Sequence, residues 1–358
     1  MSSEIVFDSA GVSEALAAAG KDEDLRTTFF EALRRAEAAS ADPAVFREQV
    51  RWPLILASLS AARTHRIQMG NGLIFEVGAD SRIERALLLS SEEHPDHVWE
   101  PQTTKLLTAL ARETSNVIVG GAYIGDQVLF LARATAERKP PGVIHAFEPM
   151  KTSFDRLVSN LSLNHITNVV SKRLGLWDEP AVALAIEGHL GLASSKPVAE
   201  SGSADERIES TSIDEYARSQ QLPSVGLIML DTEGGEEKAL LGARATIEEH
   251  KPNIVVEVHR NFVDWTDGLE HTSLIRFLTS RGYSAFAIRD FHDNYPMAGR
   301  PIEIVPVDRV YLEGPPHGFN VLATADGDLI TRHGLRIVED VSPKLLLHKD
   351  PALHHPKF

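Results

Sequence analysis

From Asn116 onward, short apolar runs alternate with longer amphipathic stretches, and this alternation constrains the fold more than any other feature of the sequence. Strands buried on both faces read as continuous apolar runs, and parallel strands need long crossovers between them. The pattern predicts strands at residues 117–119, 143–147, 169–174, 225–230, 254–258, 284–288 and 319–323. Helices are predicted at residues 126–137, 152–163 and 236–249. The chain is therefore predicted to be an α/β protein with a Rossmann-like sheet.

The first hundred residues follow a different pattern. Leu25, Phe29 and Leu33 recur at helical spacing between charged residues, and a β-like run spans residues 67–77. We predict a mainly helical accessory or cap region at residues 1–99, the α/β domain at 100–335 and a C-terminal tail at 336–358. The N-terminal helices could cap a site or form a homodimer interface.

Charge and composition exclude several classes of protein. The chain has 36 Lys and Arg against 51 Asp and Glu, a formal charge of −15, which argues against a nucleic acid partner because phosphate binding needs clustered cations. The absence of Cys removes disulfides and thiolate sites and fits a reducing cytoplasm. No apolar run reaches the roughly 18 residues of a membrane span, and the first residues lack signal-peptide features. A cytoplasmic location is expected.

A glycine-rich turn, Gly121-Ala122-Tyr123-Ile124-Gly125, separates the first predicted strand from its helix. Glycines at such a turn let the backbone approach a ligand, and the helix N-terminus offers free N–H groups. Tight packing between strand and helix would also explain the glycines. The turn alone is therefore a weak signal.

Glu148 strengthens the case for a ligand-binding turn, since it ends the next predicted strand 23 residues after Gly125. At a spacing of about 20 residues, a strand-end carboxylate binds the ribose hydroxyls of a nucleoside cofactor. The turn has G-x-x-x-G spacing, whereas a pyrophosphate-binding turn reads G-x-G-x-x-G. These residues therefore favour S-adenosylmethionine over a dinucleotide.

Six short motifs then follow one another along the chain. They are Gly121-Ala-Tyr-Ile-Gly125, Ala146-Phe-Glu-Pro149, Thr211-Ser-Ile-Asp-Glu-Tyr216, Leu230-Asp-Thr-Glu-Gly234 with Leu240-Leu-Gly-Ala243, Val256-Glu-Val-His259 and Phe319-Asn-Val-Leu-Ala323. In this order they resemble the FkbM family of S-adenosylmethionine-dependent methyltransferases over roughly residues 100–323. The resemblance implies a seven-stranded class I methyltransferase sheet and methyl transfer to a hydroxyl of a sugar, a glycolipid or a natural product.

The resemblance also implies roles for particular residues. The methionine part of the cofactor would lie between Gly121 and Gly125, beside Ala122 and Tyr123, and Glu148 would hold the ribose. Asp178 falls in the loop that borders the adenine, and Asp231 and Glu233 would face the transfer site.

Two positions depart from the family pattern at the methionine end of the cofactor. Val119 stands where the family commonly has an acidic residue, and Tyr123 replaces a frequent Asn. Asp126 or Glu100 could supply the missing carboxylate.

An alcohol needs a base or a metal to take up or polarise its proton. The ends of the fourth and fifth predicted strands offer Asp231, Glu233, Glu236, Glu257 and His259. Glu257 and His259 lie two residues apart and so share one face of a strand. His259 is the first candidate for the general base because its ordinary pKa is about 6.5; a strand-end His bonded to backbone is the alternative. Asp231 and Glu257 complete the candidate catalytic set.

A cation is a second way to activate the acceptor. Asp231 and Glu233 are candidate ligands for Mg²⁺, which prefers oxygen. Glu236 begins a predicted helix, where its charge favours the positive end.

The acceptor, a small molecule or glycan with a hydroxyl group, is predicted to bind between the N-terminal region, a loop at residues 187–210 and the stretch 260–268. Phe262 and Trp265 could line this pocket, although Phe262 fits a core position better. Two alternatives stay open: a degenerate methyltransferase fold that acts as a binding or scaffold protein, and an NAD-dependent oxidoreductase.

Overall fold

The computed structural model describes residues 9–59, 64–78, 81–88, 99–187, 194–198, 206–292, 299–312 and 318–345. It divides into two compact units. The smaller comprises residues 1–66 and 77–89, and the larger comprises residues 67–76 and 90–358. The division places residues 67–76 with the larger unit, whereas the sequence predicts one boundary at residue 99.

The smaller unit is mainly helical. Its helices are α1 (Ser9–Ala19), α2 (Glu23–Ala39), α3 (Pro43–Phe46), α4 (Trp52–Ser58) and α5 (Arg82–Leu88), with a π-helical turn at Arg47–Arg51. Asp22 caps α2 by accepting a hydrogen bond from the Leu25 N–H at 3.0 Å. Phe30, Leu33, Ile55 and Leu59 form its core. The predicted helix is confirmed by α2, but Leu25 of the predicted apolar face is 51% exposed.

The larger unit contains the remaining helices and most of the strands. The helices are α6 (Pro101–Ala111), α7 (Val128–Ala136), α8 (Lys151–Leu163), α9 (Ile213–Ser219), α10 (Glu236–Leu241), α11 (Arg244–His250), α12 (Ser273–Thr279) and α13 (Leu329–Arg332). The strands found in the described residues are β1 (His65–Gln68), β2 (Ile74–Val77), β3 (Asn116–Gly120), β4 (Val143–Phe147), β5 (Val169–Lys172), β6 (Gly175–Leu176), β7 (Ala183–Glu187), β8 (Ser194–Pro197), β9 (Glu206–Thr211), β10 (Leu227–Leu230), β11 (Asn253–Val258), β12 (Ser284–Ile288), β13 (Glu303–Pro306), β14 (Phe319–Thr324) and β15 (Arg336–Ile337). Short 3-10 turns occupy Leu269–His271 and Val307–Arg309.

A mixed sheet organises this unit. Among the described residues its nine strands have the order β15-β13-β12-β14-β11-β10-β3-β4-β5. Strands β3, β4, β5, β10 and β11 are parallel, and β14 runs antiparallel between β11 and β12. The segment from β5 to β12 is the predicted seven-stranded class I methyltransferase sheet, so the predicted fold class is confirmed.

The strand count differs from the prediction because β13 and β15 extend one edge. Strand β15 has only two residues, both exposed, and therefore carries no apolar signal. Residues 336–345, predicted to begin a tail, instead supply this strand and the buried Val341 and Lys344. Residues 346–358 of that tail lie outside the described residues.

Two further predictions are corrected. The helix predicted at residues 236–249 is broken into α10 and α11 at Gly242, where a Cβ would come within 2.1 Å of the Trp177 carbonyl oxygen. The loop predicted at residues 187–210 contains β8 and most of β9, which join the preceding β6 and β7 in a second, four-stranded sheet of order β6-β9-β7-β8. Residues 188–193 and 199–205 of that stretch lie outside the described part of the chain.

The order of the large sheet locates its ligand-binding edge. From β3 the chain proceeds outward to β4 and β5, and it then returns to place β10 and β11 on the other side. A crevice opens at such a reversal, outside the carboxyl ends of the strands. No helix within the described ranges combines the length and the apolar character that crossing a bilayer requires.

Candidate active site

The glycine turn follows β3 and is pressed against its neighbours. Gly121 has φ +76°, and a Cβ there would lie 1.6 Å from the Asp231 carbonyl oxygen. The N–H groups of Gly121 and Ala122 both donate to the Phe147 carbonyl, at 3.0 and 2.9 Å. The turn therefore connects the ends of β3, β4 and β10, and only glycine fits at position 121.

Gly125 is required for a different reason. It has φ +88°, and a Cβ there would lie 2.6 Å from Leu129 Cδ1 and 2.9 Å from Leu157 Cδ1. These are core side chains, so helix packing accounts for this glycine.

Glu148 lies directly after β4 and is 6% exposed. Its Oε2 accepts the Tyr123 N–H at 2.8 Å, and its Oε1 accepts the Met150 N–H at 2.9 Å. Burial raises the pKa of Glu148 to about 7, against the lowering effect of these two hydrogen bonds. Each oxygen accepts one N–H and so retains a lone pair. The carboxylate therefore fixes the turn and can still accept hydrogen bonds from a ligand.

The other predicted cofactor residues have different neighbours in the structure. Asp126 is buried, and its charge contributes to the raised pKa of Glu148. Asp178 follows β6 and accepts a hydrogen bond from Lys238 Nζ at 2.7 Å. Glu100, the alternative carboxylate for the turn, lies with the acidic groups that follow β10. Their roles toward a cofactor remain predictions.

Glu100 begins α6 in a left-handed conformation and is 4% exposed. Its Oε2 accepts a hydrogen bond from Asn320 Nδ2 at 2.6 Å, and its Oε1 lies 2.9 Å from His292 Nε2. Burial raises the pKa of Glu100 to about 7, while the nearby Lys344 ammonium and the Asn320 amide act to lower it. Lys344 is itself buried, and its Nζ lies 3.0 Å from His292 Nδ1.

Asp231, Glu233 and Glu257 converge at the ends of β10 and β11. One carboxylate oxygen from each lies within 4.8 Å of the other two. Desolvation raises the pKa of all three, and the charges of Glu100 and Glu236 raise each of them further. A hydrogen bond with Glu257 acts to lower the pKa of Asp231. For Glu233 the pKa reaches about 7. The structure thus brings together the acidic residues predicted for the transfer site.

Glu236 has a local role. Its Oε1 accepts the Thr232 N–H at 2.6 Å and the Thr232 hydroxyl at 2.9 Å, and its Oε2 accepts the Gly234 N–H at 3.0 Å. It therefore holds the loop between β10 and α10, in agreement with the prediction that its charge serves the helix start.

His259 follows β11 and is half-buried. Its Nδ1 accepts the Asn261 N–H at 3.0 Å, which is the strand-end alternative allowed by the sequence. In the neutral ring this bond leaves the proton on Nε2, so the ring faces the site as a donor. Desolvation lowers the pKa of His259, and Lys344 lowers it further. The assignment of His259 as general base stays a prediction, and this geometry favours a carboxylate instead.

The prediction that Phe262 is a core residue is wrong. Its side chain is 44% exposed, and its ring lies against Gly234 and 5.4 Å from the His259 ring. Trp265 packs instead against the core, with its ring 5.6 Å from Phe319. A glycine in the loop after β10 gives Phe262 a surface to lie on, which a single-sequence pattern does not reveal. Residues 260–266 and Leu312 line a pocket of about 600 Å³ here.

Sequence reasoning missed Asn320, His292 and Lys344. A polar residue within the apolar run of β14 was a usable signal for Asn320. Lys344 was missed because it lies in the segment predicted to be a tail and because lysine is rarely fully buried, although Leu345, Leu346 and Leu347 follow it directly.

Solved structures that match this chain are distant in sequence. The methyltransferase FkbM from Methylobacillus flagellatus KT is 17% identical over 59% of this chain, with a TM-score of 0.36, and the match spans only 44% of that protein. TYW2 from M. jannaschii, solved in complex with AdoMet, is 13% identical over 74% of this chain and 87% of its own, with a TM-score of 0.35. The O-methyltransferase TomG from Streptomyces achromogenes, solved in complex with SAM, is 14% identical over 70% of this chain and 92% of its own, with a TM-score of 0.35.

No curated protein matches the chain in sequence. The family model for the methyltransferase FkbM domain matches residues 120–285, from the end of β3 into β12. This range includes the glycine turn, Glu148 and the acidic residues after β10, the features on which the resemblance rests. Residues 120–285 of the chain therefore match the methyltransferase FkbM domain.

Proposed function

We propose that this chain transfers the methyl group of S-adenosylmethionine to a hydroxyl group of a small molecule, a sugar or a natural product. The observation that carries the proposal is the hydrogen bond from the Tyr123 N–H of the glycine turn to the Glu148 carboxylate. It lies where the strand order of the sheet reverses, between β3 and β4 on one side and β10 on the other. A buried carboxylate with unused lone pairs, beside a turn open to backbone contact, suits a nucleoside with two ribose hydroxyls.

The residues present fit this cofactor. Glu148 would hold the ribose, the backbone of residues 121–123 would border the methionine part, and Asp178 would lie toward the adenine. When bound, S-adenosylmethionine supplies the methyl group and takes back the electron pair of the broken S–C bond.

The carboxylates after β10 and β11 would receive the proton. The acceptor hydroxyl oxygen forms the new O–C bond, and its proton passes to Asp231. Raised pKa values make Asp231 and Glu257 stronger bases than ordinary carboxylates. The Nε2–H of His259 and the ring of Phe262 would orient the acceptor in the pocket beside them.

Calorimetric titration with S-adenosylmethionine, with its demethylated product and with NAD tests the proposal. We expect binding of both sulfur ligands and none of NAD. Binding without turnover on any hydroxyl acceptor would favour a scaffold protein. Failure of both sulfur ligands to bind would contradict the proposal.

Replacement of Glu148 tests the ribose assignment. We expect Glu148→Ala to weaken binding of the demethylated cofactor by about 1.5–3 kcal/mol, the range for hydrogen bonds to a charged group, as measured by calorimetry. Glu237→Ala is the matched control, because Glu237 is an exposed carboxylate on α10. Equal affinity in the two variants would exclude the ribose role.

A pair of variants identifies the base. We expect Asp231→Asn to lower turnover by about 100-fold, the lower end for loss of a general base, with little change in cofactor affinity. His259→Ala should lower turnover by less than about tenfold, because Nδ1 is bound to the backbone. The reverse ranking in single-turnover rates would make His259 the base.

A further inference from the structure

The three carboxylates that converge after β10 and β11 have the spacing of a cation site. Oxygens bound to one divalent ion at about 2.1–2.4 Å lie at most about 4.2–4.8 Å apart. The chosen oxygens of Asp231, Glu233 and Glu257 all lie within 4.8 Å of one another. An acidic cluster of this kind is costly without a counterion, because like charges repel in a desolvated site.

Two buried side-chain oxygens, one within the cluster and one on a neighbouring strand, lack hydrogen bonds. Within the described residues, Glu257 Oε2 and Asn320 Oδ1 have no partner, although Glu257 is only 8% exposed and Asn320 only 2%. Leaving a buried acceptor without a hydrogen bond destabilises the folded protein, because the oxygen has lost its bonds to water. A cation would satisfy both.

The two residues carrying these oxygens are neighbours in the sheet. Glu257 and Asn320 pair directly across β11 and β14, so their side chains project from the same face. The Asn320 Nδ2 lies 2.6 Å from Glu100, whose charge acts on Asp231, Glu233 and Glu257. The amide of Asn320 is therefore within the acidic cluster.

Within the described residues, the basic side chains Lys344 and His292 lie beside Glu100. Glu236 is occupied by the backbone of its own loop. Asp231 and Glu257 share a hydrogen bond, Glu257 Oε2 has no partner in the described part of the chain, and one oxygen from each of these two residues and Glu233 lies within 4.8 Å of the other two. An all-oxygen donor set of this kind prefers a hard ion such as Mg²⁺, Mn²⁺ or Ca²⁺ to Zn²⁺.

We propose that Asp231, Glu233 and Glu257 bind one hard divalent cation, with the Asn320 side-chain oxygen turned toward it. Binding of the ion stands independently of methyl transfer. Its use, to orient the acceptor hydroxyl against the methyl group, rests on the proposed function.

The test is titration of chelator-treated protein with Mn²⁺, followed by the electron paramagnetic resonance signal of the free ion. We expect one bound Mn²⁺ per chain, displaced by excess Mg²⁺. Glu257→Gln should weaken binding by about tenfold or more, since loss even of an outer-shell group costs that much. Glu233→Gln, on the half-exposed loop after β10, provides a second variant should Glu257→Gln fold poorly.

Glu237→Gln is the control, because Glu237 is exposed and stands outside the cluster. Unaltered Mn²⁺ affinity in both Glu257→Gln and Glu233→Gln, or no bound Mn²⁺ in the unaltered protein, would overturn the proposal. Calorimetry with the demethylated cofactor on the same samples tests the methyltransferase proposal separately from the cation-site proposal. Mn²⁺ binding without cofactor binding would refute the methyltransferase proposal alone, and the opposite result would refute the cation site alone.

Discussion

We expect the Gly121→Ala protein to lose about 4 kcal/mol or more of its free energy of unfolding, together with all measurable binding of the cofactor. The added Cβ would lie 1.6 Å from the carbonyl oxygen of Asp231, and backbone cannot move aside as a flexible side chain does. This clash can be relieved only if the glycine turn moves away from the end of β10. That movement would also break the hydrogen bonds to Phe147 and misplace Glu148. Urea unfolding and calorimetry measure the two losses.

Gly282→Ala is the matched control for this variant. Gly282 has a φ of +84°, close to that of Gly121, but a Cβ there meets no atom within 4 Å. Gly282→Ala should lower the free energy of unfolding only by the cost of placing an alanine in the left-handed backbone conformation, about 1–2 kcal/mol. The difference between the two variants therefore measures the steric clash. Equal losses would show that the turn is not held against Asp231.

Lys344→Met is expected to lower the free energy of unfolding by at most about 1.4 kcal/mol at pH 8, because the buried Glu100 carboxylate loses a nearby ammonium and can then bind a proton, which one pH unit above a pKa of about 7 costs about this much. Lys344 is 2% exposed, and its ammonium acts to lower the pKa of Glu100. Urea unfolding in the presence of chelator measures the loss without any contribution from bound metal.

The loss should depend on pH. The pKa of Glu100 is raised in the folded protein to about 7, so this carboxyl is mostly protonated at pH 5 and the folded state loses stability as pH rises from about 4.5 to about 7. Without Lys344 the folded pKa rises further, so the difference between the two proteins grows above pH 7 and is small at pH 5. A loss of equal size at both pH values would contradict this account.

Lys238→Met is the control for loss of an ammonium group. Lys238 pairs with Asp178, but its side chain is 46% exposed. An exposed pair contributes at most about 1 kcal/mol, and the change should be similar at pH 5 and pH 8.

The large sheet was predictable because its central strands are buried on both faces. A run such as 227–230 reads as apolar throughout, and Glu148 and Asp231 were identifiable as the polar residues that directly follow such runs. Parallel strands bring their carboxyl ends to one edge, so position along the chain predicted position in the site.

The parts that escaped prediction depend on contacts between distant segments. At the break, the Gly242 carbonyl accepts the Asp214 N–H, and the Trp177 carbonyl, 65 residues earlier in the chain, leaves no room for a Cβ. The second sheet arises from a Gly-, Ser- and Ala-rich stretch with no apolar alternation. Lys344 is buried only because its segment returns beside Asp290 after the sheet has been completed.

The position of β14 between β11 and β12 has a consequence for synthesis on the ribosome. About 60 residues separate the end of β11 from the start of β14, and at roughly 5–20 residues per second their translation takes about 3–12 s. Throughout this interval β11 presents an unpaired apolar edge, and β12 has emerged before the strand that joins it to the sheet. Unpaired edges of this kind template aggregation. Nascent chains stalled between residues 290 and 318 should therefore depend on chaperones more than chains released after β14.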